Sequence, residues 1–104
     1  EGGAKINTAR IETDPETGEA RALITLSRTG QRSDYGVVRV TDASGAEVGL
    51  LRGVAILPPL DRRTVAIPFR PDAQLPLRIS YQIEDRQGQT GRTLAEAFVS
   101  DLIR

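Results

Sequence analysis

The chain has no histidine, cysteine, methionine or tryptophan among its 104 residues. Without cysteine it has no disulfide framework, no thiol nucleophile and no cysteine-based zinc site. Without histidine it lacks the commonest general base and metal ligand, and no pair of carboxylates is set in an evident apolar pocket. We therefore expect a protein that is not an enzyme and that binds no cofactor or metal ion.

Aromatic residues and lysine are also scarce. Two Tyr and two Phe are too few for the aromatic platform typical of carbohydrate recognition, and Lys5 is the only lysine beside thirteen arginines. Fourteen basic residues balance fourteen acidic ones, so no long-range field would concentrate nucleic acid. No apolar run approaches the roughly 18 residues of a membrane span. Nucleic-acid binding and membrane insertion are both disfavoured.

Short segments of alternating apolar and polar residues fill the chain from Lys5 onward, separated by turns rich in Gly, Pro and Asp. Seven such segments in about a hundred residues are typical of an antiparallel β-sandwich. The predicted strands cover residues 5–13, 20–28, 35–41, 47–57, 62–69, 75–83 and 92–100, the fourth being continuous or split at Gly53. We predict an all-β, immunoglobulin-like sandwich that forms one domain over residues 5–104, preceded by a linker or cloning remnant at residues 1–4.

Three details of the pattern predict how the strands sit. Ile6 and Ile11 have opposite parity, so both reach one face only if the first strand bulges or changes sheets between them. Apolar residues on both faces of residues 20–28 predict a central strand. Pro68 lacks an N–H group, which should place the end of its strand at a sheet edge.

The final segment fits two structures. Residues 93–96 have the form of a capping box, and Leu94 and Phe98 recur at helical spacing, which favours a helix. A sandwich needs a closing strand at this point, and a strand buried on both faces also lacks alternation. We predict a strand over residues 92–100 and keep a C-terminal helix as the alternative.

The candidate binding residues are Tyr35, Arg39, Arg62 and Arg63. Tyr35 follows a loop, where it could stack on a partner, although a half-buried hairpin aromatic is the more common state. Paired guanidinium groups suit an anion, but neighbouring residues of a regular strand point to opposite faces, so Arg62 and Arg63 should not grip one ligand. We expect Arg63 to lie at the start of its strand, paired with Asp61 or another neighbouring carboxylate.

Two further groups have structural interpretations that outweigh functional ones. Carboxylates at Asp14, Glu16 and Glu19 share one turn and could line a calcium site, but a turn carboxylate is far more often a cap. Tyr81 lies on the long alternating strand where a tyrosine corner would sit in an immunoglobulin-like domain. Such a corner is structural.

Several stretches resemble one bacterial group. They are Tyr35-Gly36, residues 42–45, residues 53–65 (GVAILPPLDRRTV) and residues 94–97. Over residues 20–99 the chain resembles the second domain of exported proteins similar to the periplasmic pilus chaperones of chaperone-usher systems. The residues with which that family anchors its subunits belong mainly to its first domain, so none is assigned to a position here.

The resemblance implies a non-catalytic module, exported to the periplasm or cell surface, that binds pilus or fimbrial subunits through a sheet edge. In that family an edge strand pairs with a subunit that lacks one strand, which is β-augmentation. The alternative is a surface-protein binding or spacer domain that recognises glycan or polypeptide through residues 29–34 and 86–91. The sequence leaves the partner and the oligomeric state open.

Overall fold

The computed structural model describes residues 4–28, 36–55, 62–84 and 90–100, which form seven β-strands and no helix. The strands are β1 (Ala4–Thr13), β2 (Ala20–Arg28), β3 (Gly36–Thr41), β4 (Glu47–Val54), β5 (Arg62–Pro68), β6 (Leu77–Glu84) and β7 (Thr90–Val99). The predicted all-β sandwich is confirmed. The predicted strand at 75–83 begins two residues later, after a cis peptide bond between Leu75 and Pro76.

The strands form two antiparallel sheets. Sheet A has the order β1-β2-β5, and sheet B has the order β4-β3-β6-β7. In a constant-type immunoglobulin domain the fourth strand pairs with the fifth, whereas here β4 pairs with β3 in the larger sheet. The predicted central position of β2 is confirmed, as is the edge position of Pro68 on β5.

The core lies between the two sheets and is built by the inward residue of each alternating pair. Ala22, Ile24 and Leu26 of β2 are fully buried, and they face Val38 and Val40 of β3 across the sandwich. Because every strand contributes at least one side chain to this single cluster, the domain has one continuous core.

Extra residues in β1 and β7 reset the alternation of these two strands. In β1, Ile6 pairs with Leu26 and Thr8 with Thr25, so Asn7 forms a bulge and both Ile6 and Ile11 turn inward. Of the two alternatives expected for this strand, the structure shows the bulge and not a change of sheet. In β7, the register shifts in the same way at Leu94, between Thr93 and Ala95. Leu94 and Ala95 therefore both pack against the core. This bulge explains why the segment alternates poorly, and the strand excludes a helix over Thr90–Val99.

Asp42 organises the β3–β4 turn. Its Oδ1 accepts hydrogen bonds from the backbone N–H of Ser44 (2.9 Å) and Ala46 (3.2 Å) and from the Ser44 hydroxyl (2.6 Å). Its Oδ2 accepts one from the backbone N–H of Gln74 (3.1 Å), which lies in the β5–β6 connection. These bonds, with the Ser44 hydroxyl contributing most, lower the pKa of Asp42 from 3.8 to about 2. One ionised side chain thus ties two connections together.

Tyr81 of β6 reaches across β3 to β4. Its hydroxyl donates a 2.7 Å hydrogen bond to the carbonyl oxygen of Val54, and the side chain is buried. The ring covers Gly36, where a Cβ would lie 2.5 Å from the Tyr81 Cε1 atom. The predicted structural role is confirmed, but the partner is 27 residues away rather than a few residues upstream as in a tyrosine corner.

Candidate functional site

Each sheet leaves two edge strands, and three of the four carry features that oppose pairing with another strand. β1 has its bulge and the charged residues Lys5, Arg10 and Glu12. β4 has two register shifts against β3, and one of them includes Gly53, which has a φ of +69°. β5 has two arginines at its start and Pro68 at its end. Bulges, charges and prolines are the devices by which sheet edges avoid unwanted partners.

The second half of β7 differs from these three edges. Ala95 to Val99 pair with Tyr81 to Leu77 in unbroken register, and no proline or bulge interrupts them. The half has one charged residue, Glu96, whose carboxylate is bound 2.6 Å from the Nε atom of Arg78. Neutralising that charge removes the main electrostatic obstacle to an approaching strand. β1 runs alongside β7 at this side of the sandwich without being hydrogen-bonded into its sheet.

Phe98 marks the same half of β7. Its side chain is 66% exposed, the highest exposure of any large apolar side chain in the described part of the chain. It lies on the outer face of sheet B opposite Arg78, whereas its neighbours Ala97 and Val99 turn toward the core. An exposed phenylalanine beside an open strand gives an arriving segment both backbone groups and an apolar contact.

The residues predicted as binding residues do not converge. Arg39 lies on the outer face of sheet B and bonds Glu47 at 2.6 Å. Arg62 and Arg63 are exposed residues at the start of β5, on the far sheet. Tyr35 lies outside the described residues. The structure therefore places these arginines on separate surfaces, and their role in binding stays a prediction.

Arg63 lies at the start of β5 as expected, but its hydrogen-bond partner among the described residues is not a carboxylate. Its Nη1 atom donates a 3.0 Å hydrogen bond to the carbonyl oxygen of Ala55, at the end of β4. Asp61, the acidic neighbour in sequence, lies outside the described residues. Arg63 thus links the two sheets through a backbone carbonyl.

Of the carboxylates in the β1–β2 turn, Asp14 acts as a cap. Asp14 Oδ1 accepts the backbone N–H of Glu16 at 2.9 Å, and its Oδ2 lies 3.4 Å from Arg21. The backbone hydrogen bond from Glu16 is the largest cause of the lowered pKa of Asp14. Among the described residues, no group of three or more acidic side chains is placed to hold a metal ion. The same residues include no helix long and apolar enough to span a membrane.

A second feature lies on the outer face of sheet A. Thr8, Thr25 and Thr64 pair with one another across β1, β2 and β5, so their side chains form one row. The Thr25 and Thr64 hydroxyl oxygens are 3.3 Å apart. Together with Arg10 and Leu23 the three threonines line a shallow cavity of about 150 Å³. The sequence alone gives no sign of this row, since the three threonines come together only through the strand registers.

Comparisons with known proteins add little to this geometry. No family model and no curated protein matches the sequence. Among solved structures, the chain is similar to part of β-glucuronidase from Ruminococcus gnavus in complex with D-glucuronic acid (19% identity, TM-score 0.46, 91% of this chain and 15% of that chain). The same enzyme in complex with uronic deoxynojirimycin gives 19% identity and a TM-score of 0.44, over 97% of this chain and 16% of that chain. A likeness of this extent carries no information about activity.

Proposed function

We propose that this chain is a non-catalytic, exported module that binds an extended segment of a pilus or fimbrial subunit along β7, as an added strand of sheet B. The observation that carries the proposal is the regular, charge-neutralised half of β7 from Ala95 to Val99, with Phe98 exposed beside it. The other three edges of the sandwich carry bulges, unneutralised charges or proline.

The chemistry of such binding needs no catalytic group. Backbone N–H and C=O groups of an edge strand supply the affinity, and alternate side chains of the partner supply the specificity. A partner residue beside Phe98 would lie on the outer face of sheet B, where an apolar side chain would cover the exposed ring. The next partner residue would turn inward, toward Ala97 and Val99. The partner is therefore expected to be an extended segment with apolar residues on both faces.

The test is a selection of extended peptides from a displayed library on the folded domain, followed by affinity measurements on variants. Phe98→Ser should weaken the selected peptides by about tenfold or more, because burial of an aromatic side chain is typically the largest apolar contribution at an interface. Leu50→Ser is the matched control, since Leu50 is an exposed apolar residue on the same face of sheet B but on the opposite edge strand, β4. It should leave affinity unchanged.

Proline substitutions test the backbone contribution. Neighbouring N–H groups of a strand point to opposite sides, so of Glu96→Pro and Ala97→Pro only one removes an outward N–H while keeping the ladder to β6. The variant whose melting temperature is unchanged is the one in which proline replaces a residue with an outward N–H group. That variant should lose peptide binding. A selection without binders, or peptides that bind this variant and Phe98→Ser as well as the parent, would contradict the proposal.

A further inference from the structure

The threonine row on the outer face of sheet A is flanked by cations on both sides. On one side of the threonine row, Lys5, Ser27 and Arg62 pair across β1, β2 and β5 and form the next row on the same face. On the other side, the next row contains Arg10. Lys5 and Arg62 are exposed and have no carboxylate within ion-pair distance among the described residues, whereas Arg10 lies 3.4 Å from Glu12. The surface around the cavity is therefore positively charged, although the chain as a whole is neutral.

The groups that line the cavity are hydrogen-bond donors with one apolar contact. Three threonine hydroxyls and the Arg10 guanidinium surround it, and Leu23 supplies the apolar part. No carboxylate lines it, so a negatively charged ligand meets no like charge inside. Hydroxyl and guanidinium donors together suit a group with several strong acceptor oxygens.

From this arrangement we propose that the threonine row binds the sulfate group of a sulfated saccharide. Sulfate offers acceptor oxygens to the hydroxyls and to Arg10, and its charge matches the flanking cations Lys5 and Arg62. A cavity of about 150 Å³ is too small for a drug-sized ligand and takes one such group. The sugar ring would then rest outside it on Leu23 and on Ala66, which pairs with Leu23. This site is independent of β7 and lies on the other sheet.

The test is a titration of the isotopically labelled domain with glucose 6-sulfate at low ionic strength, followed by amide chemical shifts. Glucose and inorganic sulfate are titrated in parallel. We expect saturable shifts at Thr8, Thr25 and Thr64 with glucose 6-sulfate, at least tenfold weaker binding of inorganic sulfate and none with glucose. Since Phe98 lies on the other sheet, Phe98→Ser should leave this binding intact.

Two variants assign the binding to this surface. Arg10→Gln should weaken it about tenfold, since it removes a charge-assisted hydrogen bond, and Thr25→Val about fivefold, since it removes one hydroxyl without changing the shape of the side chain. Arg52→Gln removes an exposed cation from β4, on the other sheet, and is the matched control, which should bind as the parent does.

Several results would overturn the proposal. They are the absence of saturable shifts, equal binding of glucose 6-sulfate and inorganic sulfate, and binding that survives both Arg10→Gln and Thr25→Val in folded protein. Equal or tighter binding of an acidic peptide such as oligoglutamate would also overturn it, because the surface would then recognise charge alone. The residues substituted in these variants are half-buried or exposed on a sheet face, so the variants are expected to fold.

Discussion

Replacing Tyr81 by phenylalanine removes one buried hydroxyl and nothing else from the sandwich. That hydroxyl donates a 2.7 Å hydrogen bond to Val54 and thereby connects β6 to the end of β4 across the intervening strand β3. Because the side chain is only 2% exposed, water does not replace the lost donor. The substitution therefore tests whether this single bond holds the end of β4 in place.

The magnitude follows from the burial of the pair. A hydrogen bond contributes about 0.5–1.5 kcal/mol net, and a buried acceptor left without its donor costs about 1–3 kcal/mol. We expect Tyr81→Phe to lower the free energy of unfolding by about 1–2 kcal/mol. For a domain of this size, that corresponds to a fall in melting temperature of about 5–10 °C.

The assay is urea unfolding followed by far-UV circular dichroism, with Ser100→Ala as the control. Ser100 is exposed, so loss of its hydroxyl should change the unfolding free energy by less than about 0.5 kcal/mol. Hydrogen exchange should also become faster at the amides of β4 near Val54. A Tyr81→Phe variant as stable as the control, with unchanged exchange in β4, would refute the reasoning.

Three further predictions concern the positions that fix the strand registers. Gly36→Ala should destabilise the domain by about 1–3 kcal/mol, because its Cβ would overlap the Tyr81 ring and lie 2.9 Å from the Gln82 carbonyl oxygen. A Tyr81→Leu background should relieve the part of this cost that comes from the ring, and equal costs in the two backgrounds would refute the contact with the ring. Ionised Asp42 should contribute stability above about pH 4 that is lost as the pH falls through its folded pKa of about 2, so Asp42→Asn should flatten the acid dependence of urea unfolding; parallel curves would contradict this. Deleting Asn7 should leave a folded domain with Ile6 still in the core, since the remaining residues of β1 then alternate regularly; an unfolded product by circular dichroism would show that the bulge is required.

The sequence was sufficient to predict most of the architecture because alternation and turn chemistry are local. Opposite parity of Ile6 and Ile11 predicted either a bulge or a change of sheet in β1, and a proline predicted the edge position of β5. The bulge at Leu94 was not predicted, since an extra residue among small apolar ones imitates helical spacing. The burial of Val37, which lies on the outer parity of β3, also gave no signal in the sequence.

The candidate surfaces were less accessible to sequence reasoning because they depend on pairing between distant strands. The chain has nine threonines and five serines, and nothing in the sequence distinguishes those in loops from those on a sheet face. Only the registers of β1, β2 and β5 place three of the threonines side by side. The ion pair of Glu96 depends on strand pairing in the same way. Arg78 of β6 pairs with Phe98 of β7, and Glu96 lies two residues before Phe98, within reach of the Arg78 side chain. The arginines proposed as binding residues were chosen by residue type alone. They lie on different sheets, which could not be foreseen because the sequence does not show which strands pair.

The central claim is that Ala95 to Val99 forms an open edge that accepts a partner strand. Hydrogen exchange at single-amide resolution, with and without a selected peptide, tests it most directly. Alternate amides of this half of β7, which have no strand partner in the free domain, should become protected on binding, while those of β4 and β5 keep their rates. Protection confined to β4, β5 or the loops, with no change along β7, would contradict it.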